Sequence, residues 1–316
     1  MNNSHFENGH PRTRGARTKK EDLTPGSAIP IRFGTVPSFD ETPIFYCTEG
    51  EGELLVFCYG LGCSSLHWTY QVDYFRKNYK CVWFDFRGHH NTPIPESHGE
   101  TRGDMTVSAC AKDLKAILDF LEIKTPAILL GHSMGVSVVL QFTHLYPERV
   151  KSLVLANGTA KRPLDTLLGG NFFYPAFRAF SHFEKEKPSL VQSLWKFQKK
   201  TSQVETFLGA VGFNRGLTSP EDIKTYARQL AELPAFVISA MMDDYQKFDS
   251  TPWLHDILTK TLVISGDEDK VTPPETQALI AQLMPNAELV HIQNGSHCTP
   301  LDFPDYINLV IERFIK

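Results

Sequence analysis

Apolar and polar positions alternate with two different periods along most of the chain. Residues 127–130 form a continuous apolar run, the pattern of a strand buried on both faces. A helical run follows directly over 136–146. The same strand pattern returns at 260–265 and 288–292. Strands that alternate with helical segments predict one mainly parallel sheet covered on both faces. Between 157 and about 255 this alternation stops, and helical patterns rich in aromatic residues take over. Within that stretch Phe173, Phe177 and Phe180 recur at steps of four and three, which places them on one helical face.

The junction between the 127–130 run and the helix after it carries the most specific chemistry. Gly131-His132-Ser133-Met134-Gly135 fits G-x-S-x-G, a sharp strand-to-helix turn that lifts a serine hydroxyl clear of the sheet. Ser133 is the candidate nucleophile. A serine hydroxyl is weak at neutral pH and needs a general base that is itself oriented by an acid. Downstream, the strand at 260–265 runs into the acidic turn Gly266-Asp267-Glu268-Asp269, and the strand at 288–292 runs into Asn294-Gly295-Ser296-His297. The chain order is therefore serine, acid, histidine.

With that order and those motifs, the chain resembles the α/β-hydrolase family over roughly residues 30–316, most weakly between 160 and 255. The resemblance implies an α/β fold with a mainly parallel eight-stranded sheet flanked by helices and an inserted helical cap. The core would comprise 28–156 and 256–316, and the cap 157–255. Leu54-Leu55-Val56-Phe57-Cys58 leads into Tyr59-Gly60-Leu61-Gly62, where the family carries a His-Gly pair; tyrosine stands in place of that histidine. Backbone N–H groups of Leu61 and Met134 are the implied oxyanion donors. Val82-Trp83-Phe84-Asp85-Phe86-Arg87-Gly88-His89-His90 matches the family's strand followed by Asp-x-Arg-Gly-x-Gly, with His90 in place of the last glycine. The family's acid sits three residues after the glycine that ends its strand, which selects Asp269 over Asp267 and Glu268. Asn157, after the 150–155 strand, cannot act as an anion. His297 is the implied base. The substrate pocket is expected to include Trp68, Phe173, Phe177, Phe180 and Cys298.

Composition narrows the remaining choices. At 316 residues and 41% hydrophobic content, the chain can bury a large core. A net charge of -4 gives no global basic field, so neither nucleic acid nor an acidic membrane surface is an expected partner. Residues 1–27 contain Arg12, Arg14, Arg17, Lys19 and Lys20 with few large apolar residues, and are expected to form a disordered tail. With no secretory signal or membrane-spanning run read from the sequence, a cytoplasmic location and six free cysteines are expected. His89 and His90 lack a third ligand at recognisable spacing, so no metal is expected there, and no organic cofactor is required. The expected activity is hydrolysis of carboxylic esters with apolar acyl or aromatic groups through an acyl-enzyme. Serine rather than aspartate at the elbow argues against dehalogenase and epoxide-hydrolase chemistry. The same triad also serves C–C bond hydrolysis, perhydrolysis and acyl transfer in similar proteins, or could be kept by a slow-turnover ligand receptor. Oligomeric state has no sequence signal.

Overall fold

The structure is a computed structural model that describes residues 31–96, 103–170, 172–198 and 203–316. The basic tail expected over 1–27 lies outside these residues. In chain order the elements are β1 (Arg32–Pro37), β2 (Pro43–Glu49), β3 (Glu53–Cys58), α1 (Thr69–Phe75), β4 (Tyr79–Phe84), α2 (Val107–Phe120), β5 (Ala127–His132), α3 (Met134–Leu145) and β6 (Val150–Ala156). Five helices follow before the next strand: α4 (Phe173–Glu186), α5 (Pro188–Gln198), α6 (Gln203–Val211), α7 (Pro220–Glu232) and α8 (Ala235–Tyr245). The chain then returns to the sheet with β7 (Lys260–Gly266), α9 (Pro274–Leu283), β8 (Ala287–Ile292), α10 (Thr299–Asp302) and α11 (Pro304–Ile315).

The eight strands form one sheet in the order β1-β2-β4-β3-β5-β6-β7-β8. Only β2 runs against its neighbours, pairing antiparallel with β1 and β4; the other five pairings are parallel. Every residue of β5 is buried, as expected for a strand with helices on both faces of its sheet. Helices α2 and α3 pack on each other, α1 packs on α11, and α9 lies against β7 and β8. Polar caps fix where key helices begin. Thr106 Oγ1 accepts from Ala109 N at the start of α2, and Ser219 accepts from Asp222 N at the start of α7, where Pro220 suits the first helical position.

Register decides where functional side chains emerge. His132 pairs with Ala156, Ala156 with Ile264, and Gly266 with Ile292, so β5, β6, β7 and β8 end nearly level. The loops after those ends therefore meet at one edge of the sheet, the carboxyl edge where parallel α/β sheets place their sites. A buried ion network stiffens the neighbouring loop after β4. The Arg87 guanidinium is fully buried and donates to Asp113 Oδ2 and Oδ1 at 2.7 and 2.6 Å, to Asp40, and to the carbonyl of Asp104 at 3.0 Å. Breaking one partner of such a network leaves an uncompensated buried charge, which costs about 3–5 kcal/mol. Among the described residues, no helix is long and apolar enough to cross a membrane.

Candidate active site

Ser133 links β5 to α3 with φ 54° and ψ −123°, a left-handed conformation that a non-glycine residue adopts only under constraint. Close packing imposes it: a Cβ on Gly135 would fall 2.4 Å from the carbonyl oxygen of Cys58, so α3 can approach β3 only with glycine there. The Ser133 amide donates to the Ala156 carbonyl at 3.1 Å, and its side chain remains partly exposed at the N-terminus of α3. Helix dipoles and free amides at such termini favour developing negative charge.

His297 and Asp269 arrive from the loops after β8 and β7. His297 Nδ1 lies 3.0 and 3.1 Å from the two Asp269 carboxylate oxygens, and both residues are buried. With the Nδ1 proton donated to the carboxylate, Nε2 carries the lone pair that a general base needs. Asp269 is held by the amides of Val271 and Thr272, each donating to Oδ1 at 2.9 Å, and by Asn157 Nδ2, donating to Oδ2 at 3.1 Å. Asp267 and Glu268 are exposed and take no part in this arrangement. His132, next to Ser133, donates from Nε2 to the His297 carbonyl at 2.8 Å and so anchors the histidine loop beside the serine. Among the described residues, no hydrogen bond joins Ser133 Oγ to His297. Such contacts are often long in a free enzyme and tighten when substrate is bound.

Gly60 faces Ser133 from the loop after β3. An atom at the Cβ position of Gly60 would lie 2.8 Å from Ser133 Cβ, which places this loop directly against the serine. Met134 is the first residue of α3, so its amide has no intrahelical carbonyl to bond. Three side chains brace the loop. Tyr59, standing where histidine was expected, donates to Asp85 Oδ1 at 3.0 Å and accepts from the Phe86 amide at 3.0 Å. His89 accepts from the Gly62 amide through Nε2 at 3.1 Å while Nδ1 donates to the Arg87 carbonyl. Burial lowers the His89 pKa to about 3, which keeps it neutral for that dual role. His90 Nε2 donates to the Cys63 carbonyl at 2.8 Å.

The expected pocket residues occupy three different environments. Trp68 is fully buried and donates its indole N–H to the Cys58 carbonyl at 3.3 Å while packing on Phe57, so it supports the loop from the core instead of lining a pocket. Its large apolar ring serves better filling space under β3 than exposed beside the site. Cys298 is buried in a small cluster with Phe213, Ile223 and Leu301. Phe173, Phe177 and Phe180 sit half-buried on α4, which packs against α8 and α5.

The inserted helices reach the loop after β3 through α7 instead. An atom on Gly62 would fall 2.3 Å from Leu230 Cδ1, Ser64 Oγ donates to Gln229 Oε1 at 2.7 Å, and the Tyr226 hydroxyl bonds Cys63 Sγ. Sequence patterning did not single out Tyr226, Gln229 or Leu230; α7 reads as an ordinary amphipathic helix, and only its docking gives these residues a role. Asn157 was also missed as a positioning group, although its place after β6 was recognised. All six cysteines are free and buried. The described side chains that could hold a metal together are Cys63, His67 and His132.

Known proteins agree with this architecture. A family model described as the alpha/beta hydrolase fold matches residues 53–304. Protein ABHD8 of Mus musculus is 27% identical over 278 residues, covering 87% of this chain; the chain spans 58% of that relative's length. The 3-oxoadipate enol-lactonase 2 of Acinetobacter baylyi is 26% identical over 273 residues, covering 86% of this chain and 92% of that protein. Among solved structures, a thermophilic esterase from Thermogutta terrifontis shares the fold with a TM-score of 0.71 at 19% identity, covering 90% of this chain and 98% of the other. The match of the family model to most of the chain establishes that it belongs to the α/β-hydrolase family.

Proposed function

We propose that the protein is a serine hydrolase that cleaves carboxylic esters of apolar acyl or aromatic groups through an acyl-enzyme. One observation carries the reading: His297, oriented by Asp269 at 3.0 Å, stands at the same sheet edge as a serine held at φ 54° at the start of a helix. In this cycle His297 Nε2 takes the proton as Ser133 Oγ attacks the ester carbonyl carbon. The C–O double bond opens to an oxyanion, which accepts from the Leu61 and Met134 amides. Losing one such donor typically costs about 2.7–4 kcal/mol of transition-state stabilisation. The imidazolium, held against Asp269, returns its proton to the leaving alkoxide. Water, activated by the same His297, then attacks the acyl-enzyme and releases the acid.

Apart from the ester and water, every group in that cycle is supplied by the polypeptide. A small apolar ester is the proposed partner, and a cytoplasmic setting is consistent with six unpaired thiols. Incubation with a fluorophosphonate probe and with p-nitrophenyl esters of increasing chain length tests the proposal. Wild type should be labelled at Ser133 and turn the esters over; Ser133→Ala should do neither. Equal labelling of the Ser133→Ala protein removes the nucleophile assignment and the mechanism with it.

A further inference from the structure

Beside the nucleophile, outside the triad, three buried donor groups converge. Cys63 lies in the loop after β3, His67 in the short 3-10 turn Ser65–Trp68, and His132 at the end of β5. Their exposures are 0%, 2% and 0%. One sulfur and two ring nitrogens lie within 4.8 Å of one another. We propose that Cys63, His67 and His132 form a binding site for a transition-metal ion of the zinc type.

The hydrogen bonds around the two histidines favour this reading over ordinary core packing. His132 Nε2 carries the proton, because it donates to the His297 carbonyl at 2.8 Å. Its Nδ1 therefore presents a lone pair, and that atom has no hydrogen-bond partner among the described residues. A metal-bound imidazole has this arrangement: one nitrogen on the ion and the opposite N–H on a backbone carbonyl. Both ring nitrogens of His67 likewise lack a partner. Buried polar atoms are nearly always paired, and three unpaired ring nitrogens on two adjacent side chains require an explanation. Burial pushes the His67 pKa down to about 3 and that of His132 well below the usual imidazole range, so both rings are neutral, the form that ligates.

The donor set selects the class of ion. One thiol sulfur with two imidazoles suits zinc or copper(I), whereas magnesium and calcium demand oxygen ligands. Burial pushes the Cys63 thiol up to about 12, so it is protonated without metal. On binding, the S–H bond breaks, the electron pair of the thiolate forms the S–metal bond, and the proton leaves to solvent. The Tyr226 hydroxyl already bonds Cys63 Sγ and can donate to that thiolate. The imidazoles of His67 and His132 are stacked, with centroids 3.7 Å apart and planes 24° from parallel. Zinc bonds of about 2.0–2.3 Å bring ligand atoms to roughly 3.3–3.6 Å from each other, so binding must also unstack the rings.

Cobalt(II) titration of the 316-residue chain, stripped with chelator and kept reduced with a phosphine, tests this without reference to ester turnover. The expected result is one equivalent bound, with visible bands of tetrahedral cobalt and a near-ultraviolet sulfur-to-cobalt band, all displaced by zinc. Cys63→Ser should abolish the sulfur band, and His67→Asn or His132→Asn should weaken binding at least tenfold. His182→Asn and His255→Asn, at exposed histidines, should bind as wild type does. No sulfur band in wild type, or the same band in Cys63→Ser, overturns the proposal. Should the variants fail to fold, zinc-edge X-ray absorption of the wild-type complex decides: a first shell of one sulfur and two imidazole nitrogens supports the site, and a shell without sulfur overturns it.

Discussion

Asn157 donates its side-chain amide to Asp269 Oδ2 at 3.1 Å and to the Ser296 carbonyl at 3.1 Å, tying the acid's turn to the loop that carries His297. Its Oδ1 also accepts from Thr299 Oγ1. One neutral residue just after β6 thus touches both loops that carry the candidate acid and base. The residue adopts φ 49°, so alanine would strain the backbone, while glycine would remove the amide without that penalty. Asn157→Gly is expected to lower kcat about tenfold, the equivalent of roughly one hydrogen bond, and to leave KM near its wild-type value. Steady-state ester kinetics check this. Unchanged kcat would show that backbone contacts suffice to hold Asp269.

Removal of the triad side chains should be far more costly. Ser133→Ala and His297→Ala are each expected to reduce kcat by a factor on the order of 10^6, because these groups act as a unit. Asp269→Asn should cost less, since Ser133 and His297 remain, though the imidazole loses its anionic partner. Single-turnover assays with an activated ester separate the three. Loss of activity from Asp269→Asn equal to that from Ser133→Ala, with circular dichroism unchanged, would mean that the acid does more than orient the base.

Gly60 offers a steric test of the loop facing the nucleophile. A methyl group there would meet Ser133 Cβ at 2.8 Å and Ser133 Oγ at 3.3 Å, closer than such atoms pack. Gly60→Ala is expected to displace the serine and cut kcat/KM about 100-fold, the usual cost of misplacing a reacting group by about 1 Å. Thermal unfolding should shift by only a few degrees. A Gly60→Ala protein with full fluorophosphonate reactivity would place the loop farther from the serine in solution.

Buried histidines also set how stability depends on pH. Burial lowers His67 and His89 to about 3, against about 6.5 for an unfolded imidazole. Between those values the unfolded chain binds a proton at each histidine and the folded chain does not. Stability is therefore unaffected by these groups above pH 6.5 and falls as pH drops from 6.5 toward 3. At pH 5 each contributes a loss of about 2 kcal/mol. Urea unfolding at pH 7.5 and pH 5 measures the slope, and His89→Asn should reduce it by one proton. A slope identical in wild type and His89→Asn would mean that His89 titrates normally in the fold.

The proposed triad could be picked out because strand ends and special backbone geometry leave short, local marks. Continuous apolar runs became β5 and β7, and the glycines around Ser133 marked a turn that few sequences can make. Asp269 was selected by the family's offset from the end of its strand and His297 by its place after β8, and the level strand ends bring the two within hydrogen-bond distance. Residues whose role depends on a distant element left no such mark. Leu230, Tyr226 and Gln229 lie on a helix whose periodicity shows an apolar face but not what that face meets. Trp68 was expected in the pocket wall, and its full burial under the loop places it in the core. Phe173, Phe177 and Phe180 fall on one helix, α4, which packs on α8 and α5. His67 and His132 are remote in sequence, and only the sheet stacks their rings.

Docking of α7 leads to a final prediction about specificity. Leu230 sits over Gly62, beside the loop that carries the proposed Leu61 oxyanion donor, and its side chain fills the space next to that loop. Truncating it should open that space without touching Ser133, Asp269 or His297. Each additional methylene that becomes buried contributes about 0.8 kcal/mol, so two carbons can raise kcat/KM roughly tenfold if the gain persists in the transition state. Leu230→Ala is therefore expected to shift the preferred p-nitrophenyl ester toward longer chains, while acetate turnover changes by less than about threefold. Phe177→Ala, at a half-buried position of α4, provides the comparison. Its effect should appear as lower thermal stability with the chain-length profile kept. A profile that moves with Phe177→Ala and not with Leu230→Ala would assign acyl selection to the α4 aromatic face and remove α7 from the substrate path.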